Sequence, residues 1–464
     1  MLRSFSPLLW FHKVDKFFDF NLDQSPPTKE EVYGYEFYNK KVADGLLVSA
    51  TMLRNRAKVE KSLNGTYRLV KKGVIYKDIR DFLSITSIPY SVFADPGTFT
   101  YANEFKLPDY LYDTDGLIDY YNDLNFDLAG SVDWPILDKI LITRRGKRSS
   151  FDLNLKTKEM RRKLTLELAS DFIKKCNKRK NLRFVPFGTI QGWSFDTYIE
   201  SLKELLKMGY DYIAIGGLAT SERFALDLLP LVWDEIQKSG TRPGMHLYAR
   251  FPSPLAVREF LRYGVTSFDN TSPFITASRS PCSYIDPSIY FKMNNSWDCY
   301  NLKIPGIRSP FLRRAKKVLS EQDFLALGRL CSNTFGAFVN YSESGEIFYL
   351  KRLINLYYEM NCSLNDYRTR PLSGKKLGRL MDVTRSTLLK KPWLSCDCSS
   401  CMDLKANIVL TRNNYRIVHT FFHNSYIQYS RFVAELDRAM VEVPFEKYSW
   451  AEVDSLVKTK TEKI

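Results

Sequence analysis

Three cysteines and one histidine near the C-terminus have the spacing of a zinc site. The chain reads Cys396-Asp-Cys398-Ser-Ser-Cys401, and His423 follows further along. Three thiolates and one imidazole complete a tetrahedral shell for Zn²⁺, and closed four-ligand sites are usually structural because no position is left for water or substrate. His419 is the alternative fourth ligand. We therefore predict a structural zinc ion held by Cys396, Cys398, Cys401 and His423.

A second set of polar residues follows short apolar runs that have the composition of buried strands. The runs are Gly45–Ala50, Tyr90–Ala94, Arg183–Phe187, Tyr212–Ile215 and Met245–Tyr248. The polar or glycine residues that follow these and two further apolar stretches are Asp95, Asp133, Gln191-Gly192, Gly216-Gly217 and Asp269. A single Asp after a strand is most often a helix N-cap. Three carboxylates and a carboxamide at strand ends are better explained by a binding or catalytic site.

The apolar runs alternate with helical segments. Between two runs, Tyr198–Met208 places Ile199, Leu202 and Leu205 on one helical face, and Gly209 can end that helix. Repeated β-α units imply a parallel sheet, and this many units favour a closed, TIM-like (β/α)8 barrel of the α/β class. In such barrels the active site gathers at the C-terminal ends of the strands.

Charge and composition narrow the classes of partner. The chain has 464 residues, 44% of them hydrophobic, and a formal net charge of +16. Recurrent basic runs favour a polyanionic partner, and no amphipathic membrane helix competes with nucleic acid for this charge. The first twenty residues lack both a signal-peptide core and a membrane span. The other cysteines are scattered, so we expect a reduced, cytoplasmic protein with no membrane partner.

Several motifs occur in a familiar order: FADPGTF, SVDWP, FGTIQG, AIGGLA, SFDN, CDCSSC and FFHN. This series resembles the queuine/archaeosine tRNA-guanine transglycosylase superfamily, which pairs a (β/α)8 barrel with a C-x-C-x-x-C…H zinc subdomain. The resemblance covers roughly residues 45–275 and 391–450. It implies a base exchange at C1′ by two displacements, in the manner of retaining glycosidases.

The resemblance also implies roles for individual residues. Asp269 matches the family nucleophile, and Asp95 matches the general acid/base. Asp133 and Gln191 would read the purine edge, with Gly192, Gly216 and Gly217 shaping the base pocket and Phe99 stacking on the base.

Departures from the tRNA enzymes favour a different substrate. The Asp-Ser-Gly-Gly turn is here Asp95-Pro-Gly-Thr98, Met-Gly-Val-Gly is Tyr248-Ala-Arg-Phe251, and Pro-Thr-Arg after the nucleophile is Thr271-Ser-Pro-Phe274. A basic, helical insertion is predicted at about 305–390, with Ser320 and Asp323 capping one helix. We expect no RNA-binding domain after residue 450. These changes resemble the DNA-modifying 7-deazaguanine transglycosylases (DpdA type), which implies DNA modification of the restriction-modification kind.

The predicted organisation has three parts: an N-terminal extension and barrel (1–304), the basic insertion (305–390), and the zinc-binding subdomain with C-terminal helices (391–464). Four basic residues of the insertion are predicted to bind DNA: Arg313, Arg314, Lys316 and Lys317. The other expected partner is a free 7-deazaguanine base such as preQ0. A divergent tRNA enzyme and a catalytically silent nucleic-acid-binding subunit stay open as alternatives, as do a homodimer and partner proteins encoded on the same genomic island.

Overall fold

The computed structural model describes residues 2–15, 31–144, 147–218, 221–249, 253–279, 284–287, 299–300, 302–306, 309–368, 371–411 and 414–442. The chain forms two compact units. The first comprises Met1–Trp10, Ala43–Thr271 and Arg431–Ile464, and the second comprises Phe11–Val42 and Ser272–Ser430. The three-part division predicted from the sequence stays a prediction.

The first unit contains a closed barrel of eight parallel strands. Each strand pairs with the next along the chain, and β8 pairs with β1 to close the barrel. The strands are β1 (Arg3–Ser6), β2 (Gly45–Ser49), β3 (Ser91–Asp95), β4 (Leu128–Gly130), β5 (Val185–Ile190), β6 (Tyr212–Ile215), β7 (Gly244–Leu247) and β8 (Ser267–Asp269). The predicted (β/α)8 barrel is confirmed.

Side chains from alternate strand positions fill the barrel. They form one buried cluster whose members are Phe5, Leu47, Phe93, Leu128, Val185, Phe187, Tyr212 and Ala214. Parallel barrel strands are covered on both faces, which explains why they stand out as apolar runs in the sequence.

The closing strand β1 is the part of the barrel that lies outside the region of family resemblance. Phe5 of β1 is in register with Asp269 of β8 on one side and with Gly45 of β2 on the other. The N-terminal segment therefore supports the strand that carries Asp269.

Helices of the first unit follow the strands and cover the barrel. They are Ala50–Arg54, Ile79–Phe82, Thr114–Asp123, Leu155–Lys178, Phe195–Met208, Glu222–Ser239 and Pro254–Arg262. The Phe195–Met208 helix begins at Ser194, whose hydroxyl accepts from the Thr197 amide, and ends at Gly209 with a φ of +80°. The helix ends with this residue in the left-handed conformation, a conformation that glycine adopts most readily. The predicted end of this helix is confirmed.

Two small antiparallel sheets accompany the barrel in the first unit. One has the strands Lys58–Lys61, Tyr67–Lys71 and Val74–Tyr76, and the other is the hairpin Lys139–Arg144 with Lys147–Asp152.

The second unit is mainly helical. Its helices are Gly34–Phe37, Ser272–Arg279, Pro310–Ala315, Glu321–Ser344, Ile347–Leu364, Gly374–Lys390 and Ser399–Leu404, together with most of Asn414–Glu442. Short strand pairs join Lys13–Asp15 to Glu31–Tyr33, Tyr284–Ile285 to Cys299–Tyr300, and Leu302–Lys303 to Leu410–Thr411. The predicted helical character of residues 305–390 is confirmed, and the Ser320 hydroxyl accepts from the Asp323 amide at 3.2 Å as expected for the N-cap.

Among the described residues, no helix combines the length and apolar character needed to cross a membrane.

Candidate active site and metal cluster

The C-terminal ends of the barrel strands carry the polar residues predicted from the sequence. Asp95 ends β3 and Asp269 ends β8. Asp133 follows β4, Gln191 follows β5, and Gly216 follows β6. Because all eight strands are parallel, these positions lie on one rim of the barrel.

A buried hydrogen-bonded group forms around Asp133. Thr98 Oγ1 donates to Asp133 Oδ1 at 2.8 Å, and Gln191 Nε2 donates to Asp133 Oδ2 at 2.7 Å. Burial raises the pKa of Asp133, while the hydrogen bonds from Thr98 and Gln191 oppose that rise. Gln191 Oε1 is buried and has no hydrogen-bond partner among the described residues. A polar ligand that enters here meets an unused acceptor beside a fixed carboxylate.

Two glycines let the backbone approach Gln191 closely. A Cβ atom on Gly216 would lie 2.2 Å from Gln191 Nε2, so any larger residue would displace the amide. Gly217 has a φ of +77°, a conformation that L side chains rarely adopt. The Gly216 carbonyl accepts from the Tyr198 hydroxyl at 2.9 Å, which fixes the turn.

Asp95 is poised to hold a proton near neutral pH. Burial raises its pKa to about 8, the nearby charge of Asp133 adds to the rise, and Asp269 contributes a smaller share. A hydrogen bond from the Gly97 backbone opposes the rise. A carboxyl group with this pKa can give a proton to a leaving group and later take one from an incoming group.

Asp269 is held through one of its two oxygens. The Ala249 amide donates to Oδ1 at 2.6 Å, and His246 Nε2 lies 3.4 Å from the same oxygen. No described residue donates to Oδ2. Asp269 is buried, with 4% of the residue exposed, so both carboxylate oxygens are largely shielded from solvent. This arrangement leaves one defined oxygen for nucleophilic attack.

The amide that holds Asp269 comes from a strained residue. Ala249 has a φ of +55°, in the left-handed region that favours glycine. Strained backbone of this kind persists where surrounding structure requires it, often at functional sites.

The remaining predicted pocket residues occupy different environments. Phe99 lies in the turn Thr98–Tyr101 and is 69% exposed, so its ring is open to a stacking partner. Gly192 packs against Tyr198, where a Cβ atom would lie 2.7 Å from the ring. These geometries fit the predicted roles, which stay predictions.

Cys396, Cys398, Cys401 and His423 come together in the second unit. Their ligand atoms all lie within 4.8 Å of one another, and all four residues are buried. His423 Nδ1 lies 3.6, 3.5 and 3.3 Å from the sulfurs of Cys396, Cys398 and Cys401. The group can hold a metal ion. His419 is not part of it, and its Nδ1 instead lies 3.2 Å from the Ser400 hydroxyl.

The surroundings of His423 leave Nδ1 available as a ligand. Nε2 lies 2.7 Å from the Ile285 carbonyl, which can only accept, so Nε2 carries the hydrogen. Tyr284 stacks on the imidazole with ring centres 4.1 Å apart, and its hydroxyl lies 3.3 Å from Cys401 Sγ. Such outer contacts fix the orientation of metal-binding histidines.

Arg313, Arg314, Lys316 and Lys317 are all exposed at one end of the insertion. Arg314 donates to the Tyr367 carbonyl at 3.0 Å, and Lys316 lies 5.9 Å from the Phe324 ring centre. None of the four forms an ion pair with the described part of the chain, so their positive charges are uncompensated.

Sequence reasoning missed four residues of the barrel site: Thr98, His246, Tyr248 and Ala249. Tyr248 packs edge-on against His246, and the charges of Asp95, Asp133 and Asp269 add to the effect of burial in raising its pKa. The sequence could have indicated these four residues only by their position, because each lies in or next to a motif at the end of a strand. His246 in particular interrupts an otherwise apolar strand.

The closed (β/α)8 barrel and the buried Cys3His group are the two parts that the predicted resemblance to the tRNA-guanine transglycosylase superfamily implies. The chain is 26% identical over 350 residues to a protein of Salmonella montevideo named DNA-guanine transglycosylase, which covers 73% of this chain and 74% of that relative. No family model matches the chain. The predicted resemblance to this superfamily, of the DNA-modifying type, is confirmed by this relative.

Proposed function

We propose that this protein is a DNA-guanine transglycosylase that exchanges guanine in DNA for a 7-deazaguanine base such as preQ0. The observation that carries the proposal is the geometry of Asp269, whose Oδ1 is held by the Ala249 amide while no residue that the structure describes donates to Oδ2. The relative from Salmonella montevideo supports the same activity by its name.

The first displacement uses two carboxyl groups in different states. Asp269 Oδ2 attacks C1′ with a lone pair, and the electrons of the C1′–N9 bond leave with guanine. Asp95, with a pKa of about 8, supplies the proton that guanine needs to depart as a neutral base. The product is a glycosyl ester on Asp269.

The second displacement reverses these roles. The Asp95 carboxylate takes a proton from the incoming base, whose nitrogen attacks C1′. The bond between C1′ and Oδ2 breaks, and its electrons return to Asp269 as a carboxylate. Two inversions at C1′ retain the original stereochemistry, as in retaining glycosidases.

Asp133 and Gln191 provide recognition of the purine. The Asp133 carboxyl group would accept from N–H groups of the purine edge, and the second hydrogen of Gln191 Nε2 is available to a base carbonyl. Gly216 keeps Gln191 in place, and Phe99 offers an exposed ring for stacking. In a duplex the target base must be unstacked and flipped, which costs a few kcal/mol.

The pH dependence of guanine release should follow Asp95. Since a pKa raised to about 8 leaves Asp95 protonated below that pH, the single-turnover rate of base release should fall as the pH rises through about 8. Asp95→Asn should lower the rate by about 10²–10⁴-fold and should abolish the fall in rate above about pH 8, which is the alkaline limb of the pH–rate profile. Stopped reactions from pH 6 to 10 measure both effects, and a limb that persists in the Asn variant would assign the titration to another group.

The exposed basic cluster should contribute to DNA affinity. Because each phosphate contact adds about 0.9 to the slope of log K against log salt, replacing Arg313, Arg314, Lys316 and Lys317 with Ala should flatten that slope by about 2–4. Fluorescence anisotropy with a labelled duplex at several salt concentrations measures the slope.

The matched control for the basic cluster replaces four exposed lysines that already lie near acidic residues: Lys163, Lys203, Lys207 and Lys238, near Glu159, Glu235, Glu204 and Asp234, respectively. This variant should keep the wild-type slope. Equal flattening in both variants would show that the effect is one of total charge and not of the cluster.

We propose that the Cys3His group holds a structural Zn²⁺ ion. A tetrahedral zinc with Zn–S of ~2.3 Å and Zn–N of ~2.1 Å puts sulfur and nitrogen about 3.6 Å apart. The observed separations from His423 Nδ1 are 3.3–3.6 Å. When bound, zinc would cross-link the segment Cys396–Cys401 to the helix that carries His423 and take no part in base exchange.

The test of the proposed function compares cells with and without the gene. Nucleosides from digested genomic DNA and total tRNA are measured by mass spectrometry, and a 7-deazaguanine deoxynucleoside should appear in DNA only when the gene is present. A gene-dependent 7-deazaguanine in tRNA alone would support the tRNA alternative. No gene-dependent nucleoside in either pool would favour the silent subunit.

A further inference from the structure

A chain of polar side chains runs through the barrel interior to Asp269. Tyr212 Oη lies 2.7 Å from Ser267 Oγ, which lies 2.7 Å from His246 Nδ1. His246 Nε2 then faces Asp269 Oδ1 at 3.4 Å. At the far end, Thr266 Oγ1 donates to Tyr212 Oη at 2.8 Å. A polar chain inside an apolar barrel core needs a reason, because unpaired buried polar groups are costly.

The carboxylate at the end of the chain sets the direction of every hydrogen bond. A carboxylate only accepts, so a hydrogen bond from His246 to Asp269 requires the hydrogen on Nε2. In that tautomer Nδ1 accepts from the Ser267 hydroxyl, and Ser267 can in turn accept from Tyr212. Each group then uses its single hydrogen once, in the direction of Asp269. The chain therefore selects one tautomer of His246.

The packing of His246 fixes the ring in place and shields it from solvent. The residue is fully buried at 0% exposure, and its ring lies 4.6 Å from that of Phe93 and 4.9 Å from that of Tyr248. Nε2 makes no hydrogen bond with the described residues, and Asp269 Oδ1, 3.4 Å away, is the acceptor that it faces. Hydrogen bonds of catalytic groups are often long before substrate binds.

We propose that His246 is a positioning residue for Asp269 in the base-exchange reaction, a role that rests on the proposed function. Its Nε2–H and the Ala249 amide converge on Oδ1, so that Oδ2 is the oxygen presented to C1′. The same donor stabilises Asp269 whenever it is a carboxylate. The hydroxyls of Ser267 and Tyr212 keep the donor hydrogen on Nε2.

The proposal predicts which step suffers when His246 is lost. As the bond between C1′ and Oδ2 breaks, its electron pair returns to Asp269, and the charge reappears next to the Nε2–H donor. A hydrogen bond to a charged group stabilises the carboxylate more than the neutral ester. Without His246 the ester should therefore break down more slowly, and more enzyme should accumulate as the covalent complex.

The experiment measures covalent complex in the full-length enzyme with guanine-containing duplex DNA. Wild type and His246→Phe are incubated with DNA and free base, and the fraction of enzyme bound covalently is read on a denaturing gel. In His246→Phe the ratio of covalent complex to free enzyme should rise on the order of tenfold, while the exchange rate falls by a similar factor. His246→Gln, whose amide can still donate to Oδ1, should bring both the covalent fraction and the exchange rate part of the way back to the wild-type values.

Graded variants separate positioning from packing. Ser267→Ala removes the group that fixes the tautomer and should shift the covalent fraction in the same direction but less, and Tyr212→Phe less again. A fall in covalent fraction that parallels lost folding in every His246 variant, Gln included, would show that the residue only fills the core and would overturn the proposal. Failure of the wild type itself to form any covalent complex would instead count against the proposed function.

Discussion

Asp269→Asn should form no covalent complex with guanine-containing DNA. A neutral carboxamide is a poor nucleophile, and removal of a catalytic nucleophile commonly costs a factor on the order of 10⁶ in kcat. The fold should survive, because the replacement has the same shape and its carbonyl oxygen can still accept from the Ala249 amide. The complex is sought on a denaturing gel after incubation with duplex DNA.

Asp95→Asn is the matched control, since it also replaces a rim carboxylate with a carboxamide. It lacks the acid that assists guanine release but keeps the nucleophile, so slow formation of the complex should remain detectable. A normal yield of complex from Asp269→Asn would assign the nucleophile to another residue. Circular dichroism of both variants should match the wild type.

Loss of one metal ligand should have the largest effect on stability. Structural zinc contributes on the order of 10 kcal/mol in small zinc domains, as much as the whole folding free energy of a typical domain. Cys401→Ser should therefore empty the Cys3His group and unfold the helices around it. Zinc content by atomic absorption and thermal unfolding by circular dichroism measure the two effects.

Two controls test the choice of ligands. Cys362→Ser makes the same chemical change at an exposed cysteine and should retain one zinc per chain and the wild-type melting temperature. His419→Ala should keep the metal, while His423→Ala should lose it, because only His423 Nδ1 faces the three sulfurs. Fully folded and active protein with less than half an equivalent of zinc would contradict the structural role.

The barrel could be predicted from the sequence because its strands are covered on both faces. Tyr212–Ile215 and Gly244–Leu247 are almost wholly buried, and strands of this kind form continuous apolar runs. The closing strand Arg3–Ser6 was less visible, because it is four residues long and half of it is serine. Its assignment depends on pairing with Ser267–Asp269, a contact between distant parts of the chain.

The site could also be predicted where it depends on local sequence and not where it depends on contacts between distant parts of the chain. Asp95, Asp133 and Asp269 follow apolar runs, so their shared rim could be inferred once a barrel was assumed. The contact of His246 with Asp269 could not be inferred, because it depends on strand register and on which face of the strand points inward. The strained conformation of Ala249 was hidden as well, since alanine rarely adopts a positive φ.

Exchange of labelled guanine into nucleic acid tests the central claim most directly. Purified enzyme is incubated with radiolabelled guanine and either duplex DNA or tRNA transcripts under matched salt, with Asp269→Asn in parallel. The account predicts that wild type labels the DNA, that tRNA stays unlabelled, and that Asp269→Asn labels neither. Labelled tRNA with unlabelled DNA would contradict the account.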